Sequence, residues 1–420
     1  MSPLPRLALR SLWNRRFTAS LTLASITISV LLLVGVEKIR TEAREGFAST
    51  ISGTDLVVGA RTSPVQLVLA SIFRIGDATA NVRWESYQRI ARHPLVAWSV
   101  PLALGDSHRG FRVVGTTDAY LEHYRYGRDR RLTLAEGAWF ADLFDVVLGA
   151  EVAEALGYGL GTELVLSHGT AAVSILEHDA LPFRVSGILD RTGTPVDRAI
   201  HASLEAVEAI HVGWESGVPL PGQELDAAAA RDRDLTPETV TAFLLGLKSR
   251  AAVFQVQQAI NGWPEEALLA VLPGVALQQL WRLIGVAEDA LLLISAFVVL
   301  AGLAGMTTML LASLSERRRE LAVLRAVGAR PLQLFLLLTA ESTALAAGGA
   351  LAGTALLYGT LALAAPSLQA LLGVRLEVGL PGASELALLG AVVAGGFLAG
   401  TLPAWRAYRL SLADGLTPRS

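Results

Sequence analysis

The sequence predicts a membrane protein of four transmembrane α-helices, with a large α+β extracytoplasmic domain inserted between spans 1 and 2. Three observations lead there. The 420 residues are 52% hydrophobic and only 17% charged, with a mean hydropathy of +0.47, whereas a soluble domain sits nearer a quarter charged. The hydrophobicity is concentrated near the N-terminus and in the last third, with an ordinary soluble-looking stretch between. Arginines cluster on alternate segments between the apolar runs.

The N-terminal segment 1–16 is amphipathic and basic. Its LPRLALRSLWNRRF stretch places Arg6, Arg10, Arg15 and Arg16 near anionic lipid and Trp13 at the interface. Span 1 follows over 17–36, with no charge in that stretch, enough to cross ~30 Å of hydrocarbon at ~1.5 Å per residue. A cleaved signal peptide is the alternative; the long apolar core and the absence of a clear small-x-small cleavage site after it argue against it. Span 2 is expected over 290–314, span 3 over 331–365 and span 4 over 386–402. Span 3 is longer than one crossing needs, which implies tilt or a part outside the bilayer. Gly349 with Gly353, and Gly396 with Gly400, form small-xxx-small pairs suited to close helix packing, a pattern frequent by chance in Ala/Gly-rich helices.

Arginine placement sets the orientation. Segment 315–330 carries Arg317, Arg318, Arg319, Arg325 and Arg330, and the tail 403–420 carries Arg406, Arg409 and Arg419. With the N-terminal arginines, these face the cytoplasm by the positive-inside rule. Residues 37–289 and the loop 366–385 then face outward. The expected location is the inner (cytoplasmic) membrane of a bacterium, with the large domain in the periplasm.

The outer domain reads as mixed α+β. VEKIRTEAREGFASTIS and ALQQLWRLIGVAEDA extend spans 1 and 2 as helical stalks. DLVVGAR reads as a strand, PVQLVLASIFRIG as a short helix and WESYQRIARH as a helix. LVAWSVPLALG and FRVVGTT read as strands, and VVLGAEVAEALGYGLGTELVLS as strand, helix, glycine turn and strand. FRVSGILDRTGTPVDRAIHASLEAV reads as a strand, a turn and a further strand-like segment, and a Gly/Pro-rich linker covers Ser216 to Pro237. The domain carries 22 basic against 32 acidic residues and no polybasic tract, so nucleic acid is a poor partner. Cysteine is absent, which excludes disulfides and a thiol nucleophile. The seven histidines (His93, His108, His123, His168, His178, His201 and His211) show no HExxH-type spacing, so surface or core roles are expected. No G-x-S-x-G or other catalytic constellation is visible.

Two stretches resemble a known family. SERRRELAVLRAVGARPLQLFLLLTAES is similar to the signature of MacB/FtsX-type ABC permeases. VVLGAEVAEALGYGLGTELVL followed by VSGILDRTGTPVDRAIHASL is similar to the MacB-type periplasmic core domain. The resemblance covers nearly the whole chain. It implies a permease of the type VII mechanotransmission kind, a dimer with a second copy or a paralogue, and an ATP-binding partner subunit. A phosphate-binding loop needs Gly-Lys-Ser/Thr; Lys38 follows Glu37 and Lys248 follows Leu247. The ATPase is therefore expected on another polypeptide, with ATP and Mg bound there and no cofactor bound directly.

The resemblance makes 315–330 the segment that couples to the ATPase. Glu316, Arg317, Arg318, Arg319, Glu320, Leu321, Leu324, Arg325 and Gly328 are the candidate residues. With Val323 and Val327 they give an amphipathic helix ending near Gly328 before Pro331. The alternative is a loop whose arginines only set topology. The N-terminal segment offers a second contact on the ATPase or on lipid. Glu341, about ten residues into span 3, is a costly intramembrane carboxyl, expected to be structural. A periplasmic adaptor with export, release of lipoproteins, and control of a cell-wall hydrolase by shape change remain open. A self-contained membrane-anchored enzyme is the contrasting class.

Overall fold

The computed structural model describes residues 16–77, 80–127, 129–169, 181–212, 227–316, 318–372 and 379–409. The basic segment 1–15, residues 216–226 of the linker, Arg317, part of the 366–385 loop and the tail from 410 lie outside the described residues. Two compact units divide the chain. The outer unit is Ala43–Leu283, joined by Ser367–Leu376; the membrane unit comprises the span 1 residues up to Glu42 and the spans from Ile284 onward.

Among the described residues, four helices are long and apolar enough to cross a membrane. Span 1 is Arg16–Ser49, span 2 Pro273–Glu316, span 3 Pro331–Leu372 and span 4 Ala383–Arg409. The 34 residues of span 1 measure ~51 Å at ~1.5 Å per residue, well beyond ~30 Å of hydrocarbon. Its EKIRTEARE continuation holds no proline and is rich in good helix formers, so the helix does not break at the end of its apolar run. Span 2 likewise begins at Pro273, the first-turn position where a missing N–H costs nothing.

The membrane core follows helical periodicity. Ile26, Val30 and Leu33 of span 1 face Val299, Leu303, Met306 and Leu310 of span 2, with Leu345 and Leu357 of span 3 and Val392 of span 4. The i, i+4, i+7 spacing on spans 1 and 2 puts each set on one helix face.

The outer unit is built on an eleven-stranded mixed sheet. Its main path comprises β1 (Leu56–Ala60), β2 (Val96–His108), β3 (Phe111–Thr116), β4 (Leu134–Gly137), β5 (Asp145–Leu148), β6 (Phe183–Leu189), β7 (Ala199–Ser203), β8 (Ala242–Leu247) and β9 (Leu268–Val271). Their spatial order is β9-β1-β8-β2-β3-β7-β5-β6-β4. The pairs β3/β7 and β5/β6 are parallel and the rest antiparallel. β2 holds the sheet together: its first half pairs with β8, its second with β3, and the register with β3 shifts between Leu104 and Ser107.

Strand alternation then fills two faces. Leu56 and Val58 of β1, with Phe243 and Leu245 of β8, pack on Ile90 and Val256 of the helices Trp84–Ala91 and Val253–Asn261. Val57 and Leu244 point the other way, onto Phe73, Leu102 and Tyr124. Across the sheet Val146 and Leu148 of β5 meet Ile200 and Ala202 of β7 and the helix Leu204–His211.

Two local expectations change, and one stretch without an assignment from the sequence resolves. TELVLS is broken into a two-residue strand, Glu163–Leu164, and the first residue of another, Ser167–His168. The strand-like segment after the turn ends at Ser203, whose hydroxyl accepts from the Ala206 N–H and caps the helix Leu204–His211. Capping plus the helix formers LEA overrides continued strand. AFLLGL, an unbroken apolar run that periodicity cannot assign, is the central strand β8, buried on both faces.

Candidate functional site

The segment between spans 2 and 3 holds a short separate helix, Arg318–Ala326. Glu316 is the last residue of the span 2 helix. Arg317 lies outside the described residues, as do the side chains of Glu316, Arg318, Arg319, Glu320 and Leu324. The remaining residues divide the helix into two sides. Leu321 is buried with Leu314 of span 2, Leu334 and Leu338 of span 3, and Ala404 and Ala407 of span 4. Ala322 is buried and Arg325 half-buried. Val323 and Val327, one turn apart, are 57% and 84% exposed. The apolar residues thus do not form one face: Leu321 is committed to the bundle, and the two valines are offered outward.

The C-terminal end of this helix and the start of span 3 are defined by sequence. Its last turn closes with the Val327 N–H on the Val323 carbonyl and the Gly328 N–H on the Arg325 carbonyl, both 3.0 Å. Gly328 then turns with φ 105°, a left-handed value that glycine adopts without strain. Span 3 restarts at Pro331. The Gln333 side chain accepts from the Arg330 N–H at 2.9 Å, while the Gln333 N–H donates to the Arg330 carbonyl at 2.9 Å, a reciprocal cap.

The four glycines lie at helix crossings within the chain. A Cβ at Gly349 would sit 2.5 Å from Ile26 Cγ2, and one at Gly353 2.7 Å from the Thr27 carbonyl, both in span 1. A Cβ at Gly396 would meet Ala346 Cβ at 2.2 Å, and one at Gly400 Ser342 Oγ at 1.8 Å, both in span 3. Glu341 is 2% exposed and sits beside the fully buried Ser342.

Within the outer unit, the ends of both long helices enter the core. Phe47 of span 1 packs on Phe73 at 4.6 Å between ring centroids and meets Trp281 of span 2 edge-on at 5.6 Å. The Arg44 guanidinium lies 5.6 Å over the Trp281 ring. Just past the helix, the Tyr124 hydroxyl donates to the Thr50 carbonyl at 2.8 Å. The sequence marks these helices as stalks but gives no sign of which aromatics seat them.

The Thr-Gly-Thr-Pro stretch is a structural turn. The buried Asp197 carboxylate accepts from the Thr192 N–H and hydroxyl and from the Gly193 N–H, at 2.8, 2.8 and 2.7 Å. Burial pushes its carboxyl up, against the pull of those donors. A polar cleft of about 710 Å³ lies over the irregular middle of β2, lined by Asp106, Glu208, His211, Arg233, Glu238 and Thr241. His211 is 3.4 Å from Asp106. Burial opposes charge on this imidazole, yet the hydrogen bond and charge of Asp106 raise it above the usual histidine range. His201 is the opposite case: full burial, reinforced by Arg74, lowers it to about 3. Among the described residues no group of three or more His, Cys, Asp or Glu is placed to hold a metal.

Residues 19–262 match the family model of the MacB-like periplasmic core domain, and residues 292–412 that of the FtsX-like permease C-terminal domain. The chain belongs to the MacB/FtsX-type permeases. The match to the periplasmic core domain takes in most of the mixed sheet that this chain carries between its first and second spans. The chain is 25% identical over 425 residues to the macrolide export ATP-binding/permease protein MacB of Azoarcus sp. (strain BH72), covering 96% of this chain and 58% of that one. It therefore spans little more than half the length of that relative. Among solved structures, the periplasmic region of MacB from Actinobacillus actinomycetemcomitans aligns at 10% identity and TM-score 0.33, over 55% of this chain and 94% of that one. The extracellular domain of the noncanonic ABC-type transporter YknZ from Gram-positive bacteria aligns at 11% identity and TM-score 0.31, over 52% and 99%.

Proposed function

We propose that this MacB/FtsX-type permease is the membrane subunit of an ABC-type machine of the inner membrane. ATP hydrolysis on a separate polypeptide moves its outer unit through the long span 1 and span 2 helices. The observation that carries this reading is the divided Arg318–Ala326 helix, with Leu321 anchored in the bundle and Val323 and Val327 exposed on the other side. An exposed apolar pair flanked by arginines suits a groove with a polar rim. A push there acts directly on spans 2, 3 and 4 through Leu314, Leu334 and Ala404. The aromatic seating of Phe47 and Trp281 supports transmission of movement to the outer unit.

The test is substitution of Val323→Asp with Val327→Asp in the full chain, with recovery of an ATP-binding partner from native membranes as the readout. The variant is expected to insert and melt like the parent while losing the partner. Unchanged recovery, with unchanged ATP-dependent function, would overturn the assignment. Charge reversal of Arg317, Arg318 and Arg319 tests the rim in the same assay. What co-purifies also separates the uses open to the outer unit: an adaptor favours export, a lipoprotein favours extraction, and a cell-wall hydrolase favours signalling.

A further inference from the structure

Side chains from spans 1, 3 and 4 meet at one end of the membrane unit. Lys38, one of two lysines in the chain, lies about 33 Å along the helix from Arg16 at ~1.5 Å per residue. That puts it at the far side of the hydrocarbon from the arginine flank. Its ammonium is 2.9 Å from Glu42 Oε1 and 3.6 Å from Glu385 Oε1. The Tyr358 hydroxyl donates to Glu385 Oε2 at 2.7 Å, and Lys38 Nζ lies 5.5 Å from the Tyr358 ring centroid. Lys38 and Glu385 are 6% and 4% exposed. Alongside, Arg40 pairs with Glu37 at 3.2 Å.

The two ion pairs of Lys38 differ in kind. Lys38–Glu42 lies within one helix, at i, i+4, and travels with span 1. Lys38–Glu385 joins span 1 to span 4 and breaks when the two separate. A desolvated charge that loses its only partner is costly. Here neither charge is stranded by the break. Lys38 keeps Glu42, while Glu385 keeps the Tyr358 hydroxyl and its place in the first turn of span 4, where the helix dipole favours a carboxylate. An ion pair with a fallback on each side opens at moderate cost and recloses in register.

We propose that Lys38 and Glu385 form a releasable latch that holds span 1 against span 4 at the outer end of the bundle. Opening of the latch during an ATP cycle rests on the coupling reading above; the latch itself does not. Glu42 and Tyr358 are positioning residues that hold the two charges when they part.

The chain has no cysteine, so a spin-label pair at Ile39→Cys and Leu386→Cys, both outward-facing positions, needs no background removal. Interspin distances are read by EPR on the full chain in lipid nanodiscs. The parent pair is expected to give one narrow distribution. Glu385→Gln is expected to broaden it or shift it by several Å. Glu42→Gln is expected to keep it narrow, because Lys38 then has Glu385 as its carboxylate. Lys38→Arg retains the charge and the narrow distribution, and a monodisperse elution profile shows that each variant is folded. A distribution in Glu385→Gln identical to the parent overturns the latch. So does equal broadening in Glu42→Gln and Glu385→Gln, which marks a plain structural ion pair. No ATPase is present in this experiment, so the latch can stand or fall independently of the Val323/Val327 test.

Discussion

Two glycines on one helix should respond unequally to alanine. Replacing glycine by alanine in a helix interior gains roughly 1 kcal/mol of propensity, and Gly390 and Gly400 of span 4 share that gain. At Gly390 an added Cβ meets nothing within 4 Å. At Gly400 it would lie 1.8 Å from Ser342 Oγ and 2.6 Å from Ser342 Cβ, against a comfortable ~3.5–4.0 Å. The Ser342 hydroxyl, bonded to the Thr339 carbonyl at 2.9 Å, can rotate away; the Cβ contact cannot. Spans 3 and 4 must part by about 1 Å, at an overpacking cost of ~1–3 kcal/mol, and the close approach of Gly396 to Ala346 loosens with them. Gly390→Ala is therefore expected to stabilise by ~1 kcal/mol and Gly400→Ala to fall ~1–3 kcal/mol below it. Thermal unfolding of the full chain in nanodiscs reads the difference as a few °C, with Gly396→Ala behaving like Gly400→Ala. Equal melting of Gly390→Ala and Gly400→Ala would refute the crossing of spans 3 and 4 at Gly400.

Other outcomes follow from the outer unit. His201, neutral in the fold down to about pH 3 and ~6.5 when unfolded, contributes stability that is complete above ~6.5 and lost as pH falls, by ~1.4 kcal/mol per unit. Its Nε2 has no hydrogen-bond partner among the described residues, so His201→Leu should flatten the acid limb of a stability profile taken from pH 8 to 4.5 at little cost at pH 8. His211, raised by Asp106, works the other way. Its contribution is full below ~6.5 and lost as pH rises through the raised value, and His211→Gln should remove that loss in melts between pH 6 and 9. Phe47→Ala gives up the contacts with Phe73 and Trp281, an expected loss of ~2–4 kcal/mol. Hydrogen exchange should rise at the joint, around 44–50 and 276–283, before the sheet core; uniform exchange would contradict a local joint.

What the sequence reveals and what it hides divide along physical lines. Span helices are legible because long uncharged runs and arginine placement are one-dimensional signals. The Trp84–Ala91 helix is legible by period, and β1 as a short β-branched apolar run between polar turn residues. β8 is not, because a strand buried on both faces loses its alternation. The helix Leu204–His211 is hidden by the strand-like AIHAS segment that runs straight into it, and only its Ser203 cap announces it. The Arg318–Ala326 helix is legible as an amphipathic segment, but not its division: that Leu321 turns inward depends on Leu334 and Ala404, which only the fold brings near. Lys38 and Glu385 stand far apart in sequence, on different helices, and nothing local to either predicts the other.

The division of the Arg318–Ala326 helix also bears on how force could pass. A nine-residue helix is marginal in isolation, so it holds its shape only if something fixes one side. Leu321 provides that, seated among side chains from spans 2, 3 and 4 rather than from one. Had all the apolar residues faced a partner, departure of the partner would leave the helix without support. Had all faced the bundle, the partner would find only long, solvated arginines, whose contacts are weak and easily screened. Val323 and Val327 outward with Leu321 inward meets both demands. On the proposed coupling role, the helix would persist when the partner leaves, and a displacement applied at the valines would reach three spans through Leu321. Leu321→Ala should therefore leave the outward surface chemically unchanged but weaken transmission, with partner recovery retained and ATP-dependent function reduced. Loss of partner and function together would place Leu321 in the docking surface instead.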